Sequence, residues 1–419
     1  MVTFRKSLAI RVPLGYRATR SRRPYERFWA TLVMNAKFIA GPSPIRGSDM
    51  HSESKRRFCK TCVYAAISAG LAPLIPSGVG CKQRTDLQTP PGSSDGPATT
   101  PMSGPEDAWV DPAFVPGYLA LHRTGELKKR GEALWNVMDG CALCPRQCGA
   151  DRLGGERGFC DASAQLEISS HQAHFGEERS LVGRGGSGAI FFTNCGLRCV
   201  FCINWEVSQG RQGTPRSIED LAEMMLRLQS RGCHNINVVT PTHYSPHIVK
   251  ALDIAAARGL RVPLVYNTCG WENPEILKLL DGIVDIYLPD FKYADGEMAA
   301  RDSSDAETYP EVTRAALREM HRQVGVARPA SDGLMYRGVM IRHLVMPNGV
   351  GGTCEVVRMI AEDHPADTYV NIMSQYRPVY KAFDYPEIAR RITREEYAEA
   401  LGCAREAGLT SLDVQGWPL

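Results

Sequence analysis

The chain has 419 residues, 43% of them apolar, which is more than one average domain needs and enough to bury a sizeable core. Its net charge of +3 conceals an asymmetry: residues 1–49 carry ten Lys/Arg against two Asp/Glu, a local +8, so residues 50–419 sum to −5 by subtraction. A mildly acidic body without a basic, aromatic-interleaved stripe argues against nucleic-acid binding.

In chain order, the basic segment 1–49 comes first and Met50 follows it, so 1–49 reads as sequence upstream of the true start. Residues 50–81 read as an export signal. "SKRRFCK" resembles a twin-arginine motif with Lys55-Arg56 in place of the arginine pair, and an apolar run over 62–75 is too short to span a bilayer. "SGVGC", ending at Cys81, resembles a lipoprotein cleavage site, with Gly78 where Leu is usual. The plainer alternative is a basic arm followed by an unprocessed apolar helix. Residues 82–110 are a Pro/Gly/Ser/Thr linker that cannot build a core. The protein is therefore expected in the cytoplasm or, after twin-arginine export, tethered to the membrane or in the periplasm.

Residues 111–170 read as a helix leading into a cysteine-rich module. "GELKKRGEALWNVMDG" places Leu127, Leu134 and Met138 at helical spacing just before Cys141, Cys144, Cys148 and Cys160. Residues 171–419 alternate. Strands are predicted over 189–192, 235–240, 263–267, 283–288, 339–345 and 369–373. Helices are predicted over 218–231, 246–258, 274–280, 311–324, 353–362 and 394–407. The fold class is thus α/β, a parallel sheet open or curled into a partial (β/α)6 barrel. In such folds function gathers at the carboxyl ends of the strands. Unusual residues fall there: a cysteine triplet after the first strand, Thr240–His243 after the second, Asn267–Gly270 after the third and Pro289–Lys292 after the fourth.

Fourteen cysteines in an enzyme-sized chain, clustered at tight spacing, read as metal or cluster ligands rather than a disulfide framework. Cys233, Cys269, Cys354 and Cys403 are isolated and are expected to be small buried hydrophobes. Cys195, Cys199 and Cys202 are spaced C-x-x-x-C-x-x-C with no fourth cysteine close by. Structural zinc would want four ligands, and catalytic zinc a nearby His or carboxylate. A cubane 4Fe–4S cluster held by three thiolates keeps one iron open to an amine and a carboxylate of a small molecule.

With aromatic Phe201 before its last cysteine, the stretch "FFTNCGLRCVFCIN" resembles the radical S-adenosylmethionine (SAM) superfamily. Over Cys141 to the C-terminus the likeness widens through "CALCPRQCGADRLGGERGFC", "HFGEERSLVGRGGSGAIFF", "NVVTPTHYSP", "VDIYLPDFKY", "IRHLVMPN" and "NIMSQYRP". Together these are similar to a branch of proteins resembling pyruvate formate-lyase activating enzyme. The resemblance implies a 4Fe–4S cluster on Cys195, Cys199 and Cys202, and reductive cleavage of SAM to a 5′-deoxyadenosyl radical for hydrogen abstraction. It implies an oxidoreductase, a one-electron donor of flavodoxin or ferredoxin type, and a glycyl radical enzyme or peptide as partner. In the activases a Gly-Gly-Glu loop holds the SAM amino group; Thr240 and Thr242 are the candidates here. Asn267 and Thr268 match the strand-three motif loosely, and Asp290 and Lys292 the strand-four motif well. The competing reading is an exported iron–sulfur electron carrier or binding lipoprotein that makes no radical.

Cys141, Cys144, Cys148 and Cys160 suit a second iron–sulfur cluster, a zinc, or neither. His171, His174, Glu177 and Glu178 could reach the site or be structural, and His243 and His343 stand at strand ends with the same two options. Asn371, Met373, Gln375 and Tyr376 could contact SAM or substrate. "GRGGSG" (183–188) precedes a strand and reads as a turn, not a phosphate cradle.

Overall fold

The computed structural model describes residues 113–416, so the expected basic segment, signal and linker lie outside the described residues. Two helices come first, α1 (Gly117–Arg123) and α2 (Glu126–Asn136). The spacing of Leu127, Leu134 and Met138 gives α2 one apolar stripe, and all three side chains are fully buried.

Among the described residues nine strands follow: β1 (Leu166–His174), β2 (Ser187–Phe192), β3 (Thr214–Arg216), β4 (Ile236–Val239), β5 (Leu264–Thr268), β6 (Ile286–Pro289), β7 (Gly338–Leu344), β8 (Tyr369–Met373) and β9 (Ser411–Val414). They form one sheet in the order β3-β1-β2-β4-β5-β6-β7-β8-β9. From β2 to β9 every pairing is parallel, whereas β1 runs antiparallel to both β2 and β3. Short helices α3 (Arg179–Val182) and α4 (Trp205–Ser208) flank β2 and its following loop. The crossovers use α5 (Ile218–Ser230), α6 (Ser245–Ala257), α7 (Pro274–Leu279), α8 (Gly296–Asp302), α9 (Tyr309–Val324), α10 (Thr353–Asp363) and α11 (Arg394–Glu406). Reciprocal capping boxes start α5, from Ser217 and Asp220, and α11, from Thr393 and Glu396.

The six predicted strands and six predicted helices of the body all occur, in order. The antiparallel β1 and β3, the last parallel strand β9 and helices α1, α3, α4 and α8 were not expected. The α/β class with a mostly parallel sheet therefore stands, with extra strands at both edges.

The sheet has a core on each face. The larger one lies between the sheet and its helices and includes Leu221, Met225, Tyr266, Leu252 and Leu317. The smaller lies on the opposite face, where direct register partners share a side: Val265 with Ile286, Asn267 with Leu288, Met340 with Tyr369. Leu181 of α3, Val265, Ile286, Leu288, Ala327, Met335 and Met340 make an apolar floor there. Leu181 and Met335 come from connections that enter the amino ends of β2 and β7, joined by the Met335 N–H donating to Ser180 O at 2.8 Å. They close the amino-terminal end of the inner space. Leu181 is fully buried, so Leu181→Ala should cost about 2–5 kcal/mol.

One expectation is corrected. Cys354 of α10 and Cys403 of α11 are not isolated hydrophobes but form a disulfide across 49 residues of sequence. Their two helices pack side by side, which linear spacing could not reveal. Cys233 is buried as expected. No helix among the described residues is long and apolar enough to cross a membrane.

Candidate active site

The triplet occupies the loop between β2 and α4. Asn194 and Arg198 take left-handed backbone angles (φ 73° and 53°), so the chain turns twice within a few residues and wraps its three cysteines around a small volume. The loop is tied down on several sides. Asn194 Nδ2 donates to Glu167 Oε2 (3.0 Å) and the Val200 N–H to Asp302 O (2.9 Å). Gln209 Nε2 donates to Cys199 O at 3.0 Å. Ser303 Oγ donates to Cys199 Sγ at 3.1 Å, and Ser208 Oγ lies 3.3 Å from Cys202 Sγ. Phe201 lies beneath, its ring 5.9 Å from that of Tyr376 and 6.3 Å from that of Tyr293.

Burial pushes the Cys199 thiol up to about 12; Lys292 opposes this, and Cys202 and Cys195 reinforce it. Cys202 is raised by burial as well, with Ser208 opposing. Two crowded thiols that burial keeps from ionising, Cys199 and Cys202, are what a site for a cationic metal group looks like without its charge. Three soft sulfur donors on one loop, with no fourth cysteine on it, fit a cubane cluster with one open iron. Among the described residues no three His, Cys, Asp or Glu are grouped to hold a single metal ion. A cube spreads its thiolates over separate corners and makes a different demand.

Beside the thiols stand the ends of β5 and β6. Lys292 Nζ pairs with Asp290, and both side chains are about one-seventh exposed. On the other side Arg342 Nε donates to Asp290 Oδ1 at 2.8 Å, and Arg342 Nη2 to Asn267 Oδ1 at 2.6 Å. Burial would raise the Asp290 carboxyl, but Arg342 and Lys292 hold it below the usual range. Burial would likewise lower Lys292, but Asp290 and then Cys199 raise it. The two strand ends meet closely: a Cβ on Gly270 (φ 83°) would stand 1.9 Å from Asp290 O, so only glycine fits. The Tyr309 hydroxyl joins them further, within 2.8 Å of Cys269 O and 2.9 Å of Asp290 O.

The structure brings Cys195, Cys199, Cys202, Asn267, Asp290 and Lys292 to one region. It turns Thr242 and Thr268 elsewhere. Thr242 Oγ1 donates to Glu272 Oε1 at 2.5 Å, and Thr268 Oγ1 donates to the same oxygen. Burial pushes Glu272 up to about 7 against the bonds from Thr242 and Thr268. Thr240 ends β4 in a left-handed conformation (φ 59°), its N–H donating to Asn267 O at 2.9 Å.

Both ring nitrogens of His343 are engaged, Nδ1 with Phe291 O (2.7 Å) and Nε2 with Thr353 Oγ1 (2.8 Å), and His243 Nε2 bonds Thr193 O (2.7 Å). These histidines support the strand ends. His171 and His174 sit on β1, with His174 edge-on to Phe191. Glu177 and Glu178 instead enter the inner space: Glu177 Oε1 accepts from Asn267 Nδ2 (3.2 Å), and Glu178 Oε1 from Asn371 Nδ2 (3.0 Å). Burial raises Glu177 despite Arg342, with Glu178 adding to the rise. Met373 is buried on β8, Gln375 Nε2 reaches Met373 Sδ (3.1 Å), and the Tyr376 hydroxyl donates to Ile388 O (2.7 Å). In "GRGGSG" the Arg184 and Gly185 N–H groups donate to His234 Nε2 at 3.1 and 2.9 Å, making a turn.

The second cysteine group adjoins the triplet. A Cβ on Gly158 would stand 3.3 Å from Cys148 Sγ and 3.5 Å from Cys160 Sγ, and one on Gly196 would stand 3.5 Å from Cys144 Sγ. Burial pushes Cys144 up to about 12 and Cys160 to about 11. Two arginines accompany them. Arg152, fully buried, directs Nη1 at Cys141 Sγ (3.7 Å), and Arg146 Nε donates to Gly196 O (2.7 Å) in the triplet loop.

Comparison with known proteins agrees with this geometry. Residues 189–336 match the family model of the radical SAM superfamily. The uncharacterized protein MJ0674 of Methanocaldococcus jannaschii is 32% identical over 283 residues, 65% of this chain and 77% of that protein. The uncharacterized protein MJ0808 of the same organism is 24% identical over 286 residues, 61% of this chain and 78% of that one. A crystal structure of a radical SAM methyltransferase from Sphaerobacter thermophilus aligns over 71% of this chain and 91% of its own, at 13% identity and a TM-score of 0.38. With the family model matched across the strand-end site and MJ0674 covered over most of its length, the chain belongs to the radical SAM superfamily.

Proposed function

We propose that this protein is a radical SAM enzyme in which Cys195, Cys199 and Cys202 hold a 4Fe–4S cluster and the inner face of the sheet holds a small-molecule substrate. The carrying observation is the juxtaposition of the three loop thiols with the Lys292–Asp290 pair. When bound, the cluster and SAM supply one-electron cleavage of SAM to a 5′-deoxyadenosyl radical that abstracts hydrogen. The chain positions and shields that chemistry. Lys292, held by Asp290, offers charge to the SAM carboxylate, and Asn267 fixes Arg342 behind Asp290. Thr240, just past the end of β4, would offer its hydroxyl to the SAM amino group, whereas Thr242 and Thr268 act through Glu272, which they orient. Phe201 supports the loop from below.

Radical SAM enzymes generally need a one-electron donor, here of flavodoxin or ferredoxin type. Cys141, Cys144, Cys148 and Cys160 are proposed to hold a second iron–sulfur cluster beside the first, since their thiols are not grouped around a single ion as a zinc would need. Activation of a glycyl radical partner is the narrower reading and rests on the sequence resemblance alone; the inner cavity described below favours a small molecule. A carrier without radical chemistry has no use for a buried ammonium beside the thiols. The test is electron paramagnetic resonance of the anaerobically reconstituted, reduced protein. SAM should alter the cluster signal, and an unchanged signal would refute the proposal.

A further inference from the structure

The inner face carries a cavity of about 380 Å³ whose walls include Glu177, Glu178, Arg342, Asn371, Met373 and Asp413. Two of these residues, almost wholly buried, have an oxygen without a partner. Glu178 is 7% exposed and Asn371 3%; Asn371 Oδ1 receives no hydrogen bond, and Glu178 Oε2 receives none from a nitrogen or hydroxyl, the adjacent Glu177 carboxyl bonding Glu178 only when it is protonated. The Asn371 amide is oriented by its own chemistry: its Nδ2 donates to Glu178 Oε1 at 3.0 Å, so its other terminal atom is the acceptor. A buried acceptor left unmade is unfavourable, and two together on one cavity wall ask for a ligand that donates.

Charge points the same way. Three carboxyl groups line the cavity, from Glu177, Glu178 and Asp413, against the guanidiniums of Arg179 and Arg342. Arg342 is already committed to Asp290 at 2.8 Å, Asn267 at 2.6 Å and Glu177 at 3.4 Å. Arg179 is exposed at the rim. Asp413 accepts the Tyr369 hydroxyl on Oδ2. The wall thus offers acceptors and negative charge, with Met373 as an apolar surface for carbon.

We infer that this cavity binds a small organic cation through a primary ammonium group, seated against Glu178 and Asn371. An ammonium has three donors and no acceptor, which matches two unpartnered oxygens with a third donor left for Asp413. An anionic ligand would meet three carboxyl groups instead. Calling this cation the substrate rests on the radical SAM reading; that the cavity binds it does not.

The test uses the full chain as purified, with n-butylamine as probe and 1-butanol and butyrate as comparators of similar size. Butylamine stays protonated near neutral pH, as a lysine side chain does. Calorimetric titration should show saturable butylamine binding at least tenfold tighter than either comparator. Glu178→Gln keeps the bond from Asn371 but replaces the free acceptor with a donor, and should weaken butylamine at least tenfold. Glu178→Asp, which restores the charge, should recover part of the loss. If Glu178→Gln does not fold, Asp413→Asn at the rim decides, with a several-fold weakening expected. Equal binding of butanol or butyrate would overturn the inference, as would no change in the deciding variant. Displacement of butylamine by SAM would also overturn it, because the acceptors would then belong to the SAM site. Binding needs no cluster chemistry, so failure here leaves the resonance test standing, and failure there leaves this cavity assigned.

Discussion

Replacing Lys292 with Ala removes a buried ammonium whose surroundings are fully specified. Its Nζ pairs with Asp290, and the thiols of Cys199, Cys202 and Cys269 all lie within its field. Breaking a buried pair by deleting one partner costs about 3–5 kcal/mol when the other charge is left bare. Asp290 is not left bare here, because Arg342 Nε remains at 2.8 Å. The folding cost should therefore fall below that range and the variant should fold. Its effect should appear in SAM binding. A charge-assisted contact to a carboxylate is worth about 1.5–3 kcal/mol, so affinity should drop roughly ten- to a hundredfold. The assay is SAM titration of the reconstituted variant, with iron content measured on the same sample and expected to match wild type, since the cysteine loop is untouched. Wild-type affinity would show the pair to be structural and refute the reasoning.

Three further outcomes are expected. Protein lacking the triplet cysteines should retain roughly four irons on Cys141, Cys144, Cys148 and Cys160; metal analysis finding none would leave these as ordinary thiols. Changing Cys354 and Cys403 together to Ser should lower unfolding stability by roughly 2–4 kcal/mol through the freed 49-residue loop, and urea denaturation with an unchanged midpoint would count against the crosslink. Burial pushes Asp285 up to about 7, against N–H bonds from Gly117 and Leu264, so the folded chain keeps a proton the unfolded chain has released. Its stabilising contribution is complete below pH about 4 and is lost as pH rises toward 7. The melting temperature of Asp285→Asn relative to wild type should therefore improve between pH 4.5 and 8, and a constant difference would contradict this.

The fold was legible where apolar periodicity and local punctuation agree. Apolar periodicity marked α5 and α11, which the structure starts with capping boxes at Ser217 and Thr393, and the apolar runs of β4 to β8 declared a buried parallel sheet. β1 was not legible: "LEISSHQAH" mixes buried and half-exposed positions, and its antiparallel place depends on partners further along the chain. β9 has four residues and no buried position, too little for a pattern. At the site, the cysteine triplet and Asp290-x-Lys292 carried their geometry in their spacing. Asn267 and Thr268 could not both face the thiols, because successive strand residues point to opposite sides. Thr268 accordingly turns to Glu272. Glu272 itself went unnoticed in a loop, although a carboxylate between Trp271 and the Asn273 cap was a visible signal. Arg342 was a stronger one, a lone cation in the apolar strand "GVMIRHL". That it would join Asp290, Asn267 and Glu177 required the third dimension.

The central claim is that Cys195, Cys199 and Cys202 together support radical cleavage of SAM. Its most direct measurement is 5′-deoxyadenosine released by anaerobically reconstituted protein given SAM and a chemical reductant, compared with Cys199→Ala treated identically. Wild type should form 5′-deoxyadenosine in amounts exceeding the protein present, and Cys199→Ala should form none above background, because two thiolates cannot hold the cube in that loop. Equal product from both proteins, or none from a wild type that carries its full iron, would contradict the account.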